Sequence, residues 1–267
     1  MVKKIVNLLL ILAFVLSTAA CSSQPTPNTG TPADSTNESN NQQNNVTTDT
    51  DSNNVDVTET VVAGSLEELE TIVLKAVEDS IDSLATKKDQ LAAEIDSFEK
   101  YVENEDKIKG FYDEICTETL RLEICLMEYS VVYAEFIMDS DKDFDDKYDD
   151  LDELYDVVYE DAGDEIYDEI YDGILDEMYD LFYDGLLDEA YESVPYEKWL
   201  DACSDEYEMW LDACSECYEI WLDTRSDIYE FWLEMRSATF GKDSEEADEV
   251  IMDFKEDLED LKEDLQK

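Results

Sequence analysis

The chain contains no histidine, seven glycines and four prolines in 267 residues, and 18 basic residues against 73 acidic ones. Each shortage excludes something. Without histidine the commonest general base is missing. With so little glycine and proline the chain lacks the turn chemistry that a sheet-based fold needs at its many corners. A formal net charge of −55 repels nucleic-acid phosphates and anionic lipid alike. The partners left are cations, basic peptides or proteins, and neutral surfaces. Highly acidic chains are often disordered, but those usually lack aromatics. Here 16 Tyr, 9 Phe and 4 Trp accompany the acids, mostly at helical spacing, and they predict folded helices beyond residue 63.

The N-terminus reads as an export signal, assigned to residues 1–20. Lys3 and Lys4 precede an apolar run, Ile5 to Leu16, that is too short to span a bilayer. The small residues STAA then lead to Cys21. This resembles the lipobox of bacterial lipoproteins, in which the signal is cut before a cysteine whose thiol receives a diacylglycerol; Thr18 stands where that motif prefers Leu. The resemblance implies a lipidated Cys21 and a chain held outside the cytoplasmic membrane, the diacyl group supplying the two chains that stable anchoring needs. Residues 21–63 are otherwise mostly Ser, Thr, Asn, Gln, Pro and Asp, with little that is apolar, and predict a solvated tether.

Past the tether, four helical registers follow one another. Residues 64–138 open on Ser65-Leu66-Glu67-Glu68, a capping-box pattern. Val77, Ile81, Leu84, Leu91, Ile95, Phe98 and Val102 then keep a four-three alternation, broken only by Lys88. ENEDK (103–107) offers a turn, and Ile108, Phe111, Ile115, Leu122, Leu126, Tyr129, Tyr133 and Phe136 continue the pattern, predicting an antiparallel hairpin.

In residues 139–195 the run from Glu153 consists of ten tetrads, ELYD VVYE DAGD EIYD EIYD GILD EMYD LFYD GLLD EAYE. Two twelve-residue units, YDGILDEMYDLF and YDGLLDEAYESV, are visible inside it. Four residues advance an α-helix by about 400°, so an apolar stripe of this period drifts by about 40° per tetrad. Either several helices surround this one, or Gly163, Gly173 and Gly185 divide it; the absence of proline before Pro195 favours one long or gently kinked helix. The fourth residues form an acidic ladder from Asp156 to Glu192. Its nine like-charge pairs cost roughly 2–4 kcal/mol at low salt.

Residues 196–240 hold four eleven-residue repeats, YEKWLDACSDE, YEMWLDACSEC, YEIWLDTRSDI and YEFWLEMRSAT. Eleven residues over three turns keep Tyr, Trp, Leu and the Cys/Arg position on one face. The expectation is a rod that buries Tyr196, Trp199, Leu200 and their equivalents. Residues 241–267 start a last helix near Asp243, with Ala247, Ile251, Phe254, Leu258, Leu261 and Leu265 as a heptad seam. The fold class expected is therefore all-α: an elongated, coiled-coil-like bundle after a disordered tether.

Candidate sites are few. Setting Cys21 aside leaves five cysteines. Cys116 and Cys125 lie on opposite sides of a helix, and Cys203 and Cys214 stand roughly 16 Å apart along one. Cys214 and Cys217 form a CxxC in mid-helix, away from the helix N-terminus that activates redox pairs. These cysteines are assigned to packing or to interhelical disulfides. Arg225 and Arg236 take the cysteine position in the last two repeats and are expected to reach acids on a neighbouring helix. DSDKDFDDKYDD (139–150) imitates a calcium loop, with Asp139, Asp141, Asp143, Asp145 and Asp150 at ligand positions. Phe144 stands where such a loop needs glycine. Weak Ca²⁺ or Mg²⁺ association is the cation expectation, with no metal site assigned and no cofactor. No enzyme constellation is present, and the chain is read as a non-enzyme.

The YDGIL and WLDTRSDIYEFW repeats resemble uncharacterised acidic lipoproteins of Gram-positive bacteria over residues 65–267, a likeness that brings no assigned activity. Solute-binding lipoproteins are glycine-rich α/β folds, which this composition opposes. The functional expectation is a membrane-anchored helical module of the cell envelope, structural or protein-binding. The alternative is a polyanionic binder of divalent cations or cationic peptides through the acids of 139–192.

Overall fold

The computed structural model describes residues 66–265. The export signal, Cys21, the tether and Ser65 lie outside them. Among the described residues there is no strand. Six helices follow in order: α1 (Leu66–Glu94), α2 (Phe98–Glu103), α3 (Glu105–Met138), α4 (residues 144–190), α5 (Tyr196–Gly241) and α6 (Ser244–Asp264).

The organising element is α3. Its sequence is apolar well beyond one heptad seam: Cys116, Ile124, Cys125, Met127 and Val131 are buried alongside Ile108, Ile115, Leu122, Leu126 and Tyr129. A helix that is apolar all round must be covered all round, and α1, α4, α5 and α6 each pack against it. Ion pairs fix the directions. Lys87 with Glu114 and Lys107 with Glu94 set α1 antiparallel to α3. Lys255–Glu135 and Lys262–Glu128, at 2.7 and 2.8 Å, do the same for α6. Contacts from Tyr112 to Glu206, Cys116 to Cys217 and Met138 to Thr239 run α5 parallel to α3.

The connection between α1 and α3 has two breaks, one at Asn104 inside the 103–107 stretch that the composition suggested and an earlier one that it did not. The chain breaks at 95–97, where Ser97 caps α2 by accepting from Lys100 N, and the six-residue α2 bridges to α3. Tyr101 is driven into the core by this detour, and Val102 is left exposed. At the other end, Asp243 accepts from Glu245 N and Glu246 N and starts α6. Ala247, Ile251, Phe254 and Leu258 are buried, with Phe254 stacked on Phe231 of α5 at 4.2 Å.

The tetrad helix α4 neither drifts nor breaks. Residues 144–190 form one continuous helix in which α-helical turns alternate with π-helical stretches at Asp156–Ala162, Tyr167–Leu175 and Asp180–Leu187. A π turn closes on the fifth residue and so takes more residues than an α turn. Mixing the two underwinds the helix until four residues make one turn. The 40° drift expected of an ideal α-helix is cancelled by the backbone itself. Gly173 and Gly185 lie inside the second and third π stretches and interrupt nothing.

Candidate interaction surface

The underwinding of α4 shows most clearly in its pairing with α5. Tyr155, Tyr167 and Tyr179 on α4 and Tyr191 just past its end recur every twelve residues, and Trp232, Trp221, Trp210 and Trp199 every eleven on α5. They meet in antiparallel order, with ring centroids 4.3, 4.7, 4.7 and 4.8 Å apart. Three turns of α4 therefore take twelve residues, about 4.0 per turn, where three turns of α5 take eleven, about 3.67. The second tyrosine of each unit stacks on the first: Tyr155–Tyr159, Tyr167–Tyr171 and Tyr179–Tyr183 lie 4.7, 5.0 and 4.7 Å apart and within 15° of parallel.

Three of the four tryptophans also have a polar duty. The indole N–H of Trp199 donates to Leu187 O at 2.9 Å, Trp221 to Gly163 O at 3.2 Å and Trp232 to Leu151 O at 3.1 Å. These acceptors fall on a twelve-residue spacing, with one place between Gly163 and Leu187 left open. The same register assigns Leu175 O to Trp210, whose buried N–H has no acceptor.

The odd member of that series is Gly163, in a slot that is otherwise Leu151, Leu175 and Leu187. Its cause lies across the seam. Arg225 occupies the position that is Cys214 and Cys203 in the preceding repeats, and a Cβ on Gly163 would come 2.5 Å from its guanidinium carbon. In this register leucine stands opposite cysteine in two units and glycine opposite Arg225 in the third; in the fourth Leu151 stands opposite Arg236, whose side chain is 25% exposed where that of Arg225 is 3%. Arg225 is 3% exposed, lies 4.3 Å from the Tyr159 ring and 5.1 Å from that of Trp221, and pairs with Asp164. Arg236 pairs with Asp152 at 3.1 Å and lies over Tyr148. Both arginines thus reach acids of α4, as their positions suggested.

Burial on α5 departs from expectation. The buried face is Ala202, Cys203, Glu206, Ala213, Cys214, Cys217, Thr224, Arg225, Ile228, Phe231 and Met235. The tryptophans are half-buried. Tyr196, Leu200, Tyr207, Leu211, Tyr218, Leu222, Tyr229 and Leu233 are instead 42–59% exposed. The reason is geometric: Tyr and Leu sit at the edge of the arc whose centre the small Ala and Cys side chains occupy, and only small residues allow the close approach to α3 and α4. The result is an apolar band from Tyr196 to Leu233, about 56 Å long. It has two acidic banks. Glu197, Glu208, Glu219 and Glu230 with Asp201, Asp212 and Asp223 line one side. On the other, beyond the half-buried tyrosines of α4, runs the ladder Asp156 to Glu192, every member exposed. Partial burial and the neighbours Asp172 and Asp180 hold the Asp176 carboxyl above its ordinary range.

No family model, no curated protein and no solved structure matches this chain.

Beneath the band the core holds carboxylates that the periodicity did not single out. Glu206 is fully buried and accepts from Tyr101 and Tyr112 hydroxyls at 2.8 and 2.7 Å. Burial pushes it up to about 6 against those hydrogen bonds, and the two phenols are pushed well above their ordinary range by burial and by Glu206. Glu123 on α3 is fully buried with neither oxygen hydrogen-bonded, and is pushed up to about 8 by burial against the pull of Arg225. The available signal was that glutamates 118, 123 and 128 interrupt the most apolar helix of the chain.

The calcium-like segment is otherwise employed. Asp139 ends α3, and Asp143 caps α4 by accepting from Asp145 N and Asp146 N. Asp150 pairs with Lys142 at 2.6 Å, and Asp145 lies 3.6 Å from Lys242. The helix already runs from Phe144, so Asp145 and Asp150 belong to it, while Asp139 and Asp141 precede it. Among the described residues no three acidic or cysteine side chains converge as a metal would require. No described helix is long and apolar enough to cross a membrane.

Proposed function

We propose that the chain is an envelope-anchored helical interaction module whose Tyr/Leu band docks a cationic amphipathic helix of a partner protein or peptide. The observation that carries this reading is the uniform exposure of eight large apolar side chains at eleven-residue spacing, since contiguous exposed apolar surface marks an interaction site. The two acidic banks select the partner's chemistry: an apolar stripe flanked by lysine or arginine matches the band and its edges. A second copy of the chain would bring acids against acids. Anchoring through Cys21 rests on the N-terminal signal, and an unmodified Cys21 in the mature membrane fraction would overturn it.

The four tryptophans at the edge of the band provide the assay. Titrating the full chain with a Lys/Leu amphipathic helical peptide is expected to change tryptophan emission saturably, more weakly as salt rises. Leu211→Ser with Leu222→Ser is expected to abolish the response. A scrambled peptide of equal charge binding equally well would reduce the interaction to bulk charge and refute the docking reading.

The exposed ladder supports a second reading, a sink for Ca²⁺ or Mg²⁺. Thermal melts at fixed ionic strength test it. A melting temperature indifferent to millimolar Ca²⁺ counts against it.

A further inference from the structure

Two positions of the α5 repeat, the third and the eleventh, change identity in every copy, and the eleventh is buried throughout: Glu206, Cys217, Ile228 and Thr239. At three of these positions a polar or sulfur contact to the α2–α3 segment accounts for the choice. Glu206 accepts from Tyr101 and Tyr112. Thr239 lies 4.0 Å from the Met138 sulfur. Cys217 faces Cys116 with 3.5 Å between sulfurs, and Thr119 Oγ1 lies 3.6 Å from Cys217 Sγ. Where each residue is matched to what it meets, cysteine is matched to cysteine.

We infer that Cys116 and Cys217 are an oxidative cross-linking site, joined in the mature protein by a disulfide between α3 and α5. The sulfurs need to approach by about 1.5 Å to reach the bonded distance of about 2.0 Å, within the reach of side-chain rotation. A low-molecular-weight disulfide such as glutathione disulfide is the oxidant. One Cys thiolate attacks it to form a mixed disulfide and release one thiolate; the second Cys thiolate displaces the other. Two protein thiols become one S–S bond, and one glutathione disulfide is reduced to two glutathione thiols, which take up the two protons. Both cysteines are buried, at 4% and 2% exposure; the hydrogen bond with Cys217 and burial push the Cys116 thiol up, while the same hydrogen bond draws Cys217 down. The bond therefore forms as the helices dock rather than by attack on the finished bundle. All five described cysteines are thiols in this structure; the sulfur–sulfur contact is the one between Cys217 and Cys116, and Cys125, Cys203 and Cys214 are expected to stay thiols.

The inference is independent of the docking reading, and its test needs no ligand. The full chain, held in mild detergent, is unfolded with reductant, refolded in a glutathione redox buffer, alkylated and mapped without reduction. The expected product is one linked peptide pair containing Cys116 and Cys217, lighter by two hydrogens than the free peptides. Its urea midpoint should exceed that of the reduced protein, with no such gain in Cys217→Ser. Should that variant fail to fold, the wild-type map decides alone. Cys116 and Cys217 both alkylated, or Cys217 joined to Cys214, overturns the inference.

Discussion

The pairing of Gly163 with Arg225 makes a quantitative prediction, because the same molecule carries the alternative solution twice. Replacing Gly163 by Leu puts a Cβ 2.5 Å from the Arg225 guanidinium carbon and 2.6 Å from its Nη1. The arginine must leave, and overpacking of this kind costs about 1–3 kcal/mol. Replacing Arg225 by Cys deletes a buried guanidinium beside a glycine and opens a void. It also removes the contacts with Tyr159 and Trp221, so the loss is about 2–4 kcal/mol. The ion pair with Asp164 adds little, since that carboxylate is 65% exposed. Together the two substitutions recreate the leucine–cysteine arrangement of Leu175 with Cys214 and Leu187 with Cys203. The double variant should be more stable than either single one, with a favourable coupling of about 2 kcal/mol or more. Urea unfolding of the four proteins at pH 7 measures it. Additivity within about 0.5 kcal/mol would refute the exchange of volume across the seam.

Two further predictions concern the same core. Trp221→Phe keeps a ring but removes the donor to Gly163 O, and should cost about 1 kcal/mol more than Trp210→Phe, whose indole N–H has no acceptor; equal losses in chemical denaturation would contradict the register. Glu123 and Glu206 are held above the ordinary glutamate value of 4.5, up to about 8 and about 6. The folded protein then binds more protons than the unfolded chain between about pH 4.5 and 8. Stability is fully present below that window and falls as pH rises through it, so the urea midpoint should drop from pH 5 to pH 8. Glu123→Gln should flatten the fall above pH 6, and an unchanged slope would sink that assignment.

Much of the architecture was legible beforehand. The shortage of glycine and proline announced helices, Asp243 announced the start of α6, and Arg225 and Arg236 announced their acids across the seam. Two features were hidden for identifiable reasons. At 3.6 residues per turn the tetrads are incompatible with a fixed partner, and nothing in the sequence of a single helix says that its backbone will underwind. The clue lay in comparing two helices, twelve residues between tyrosines on one against eleven between tryptophans on the other. The exposure of Leu200, Leu211, Leu222 and Leu233 was hidden because periodicity tells which residues share a face, not which part of that face is covered. Only the small Ala and Cys residues alongside hinted that the close contact was centred elsewhere.

The twelve-to-eleven correspondence also constrains how such a molecule is able to change size. Adding one unit to α4 alone, or to α5 alone, would shift every ring beyond the insertion off its partner. Length is therefore available only in paired increments, twelve residues on one helix with eleven on the other. Each increment adds about 16 Å. The seam works as a ruler with fixed graduations, and the reach of the band would be set by how many have been duplicated together.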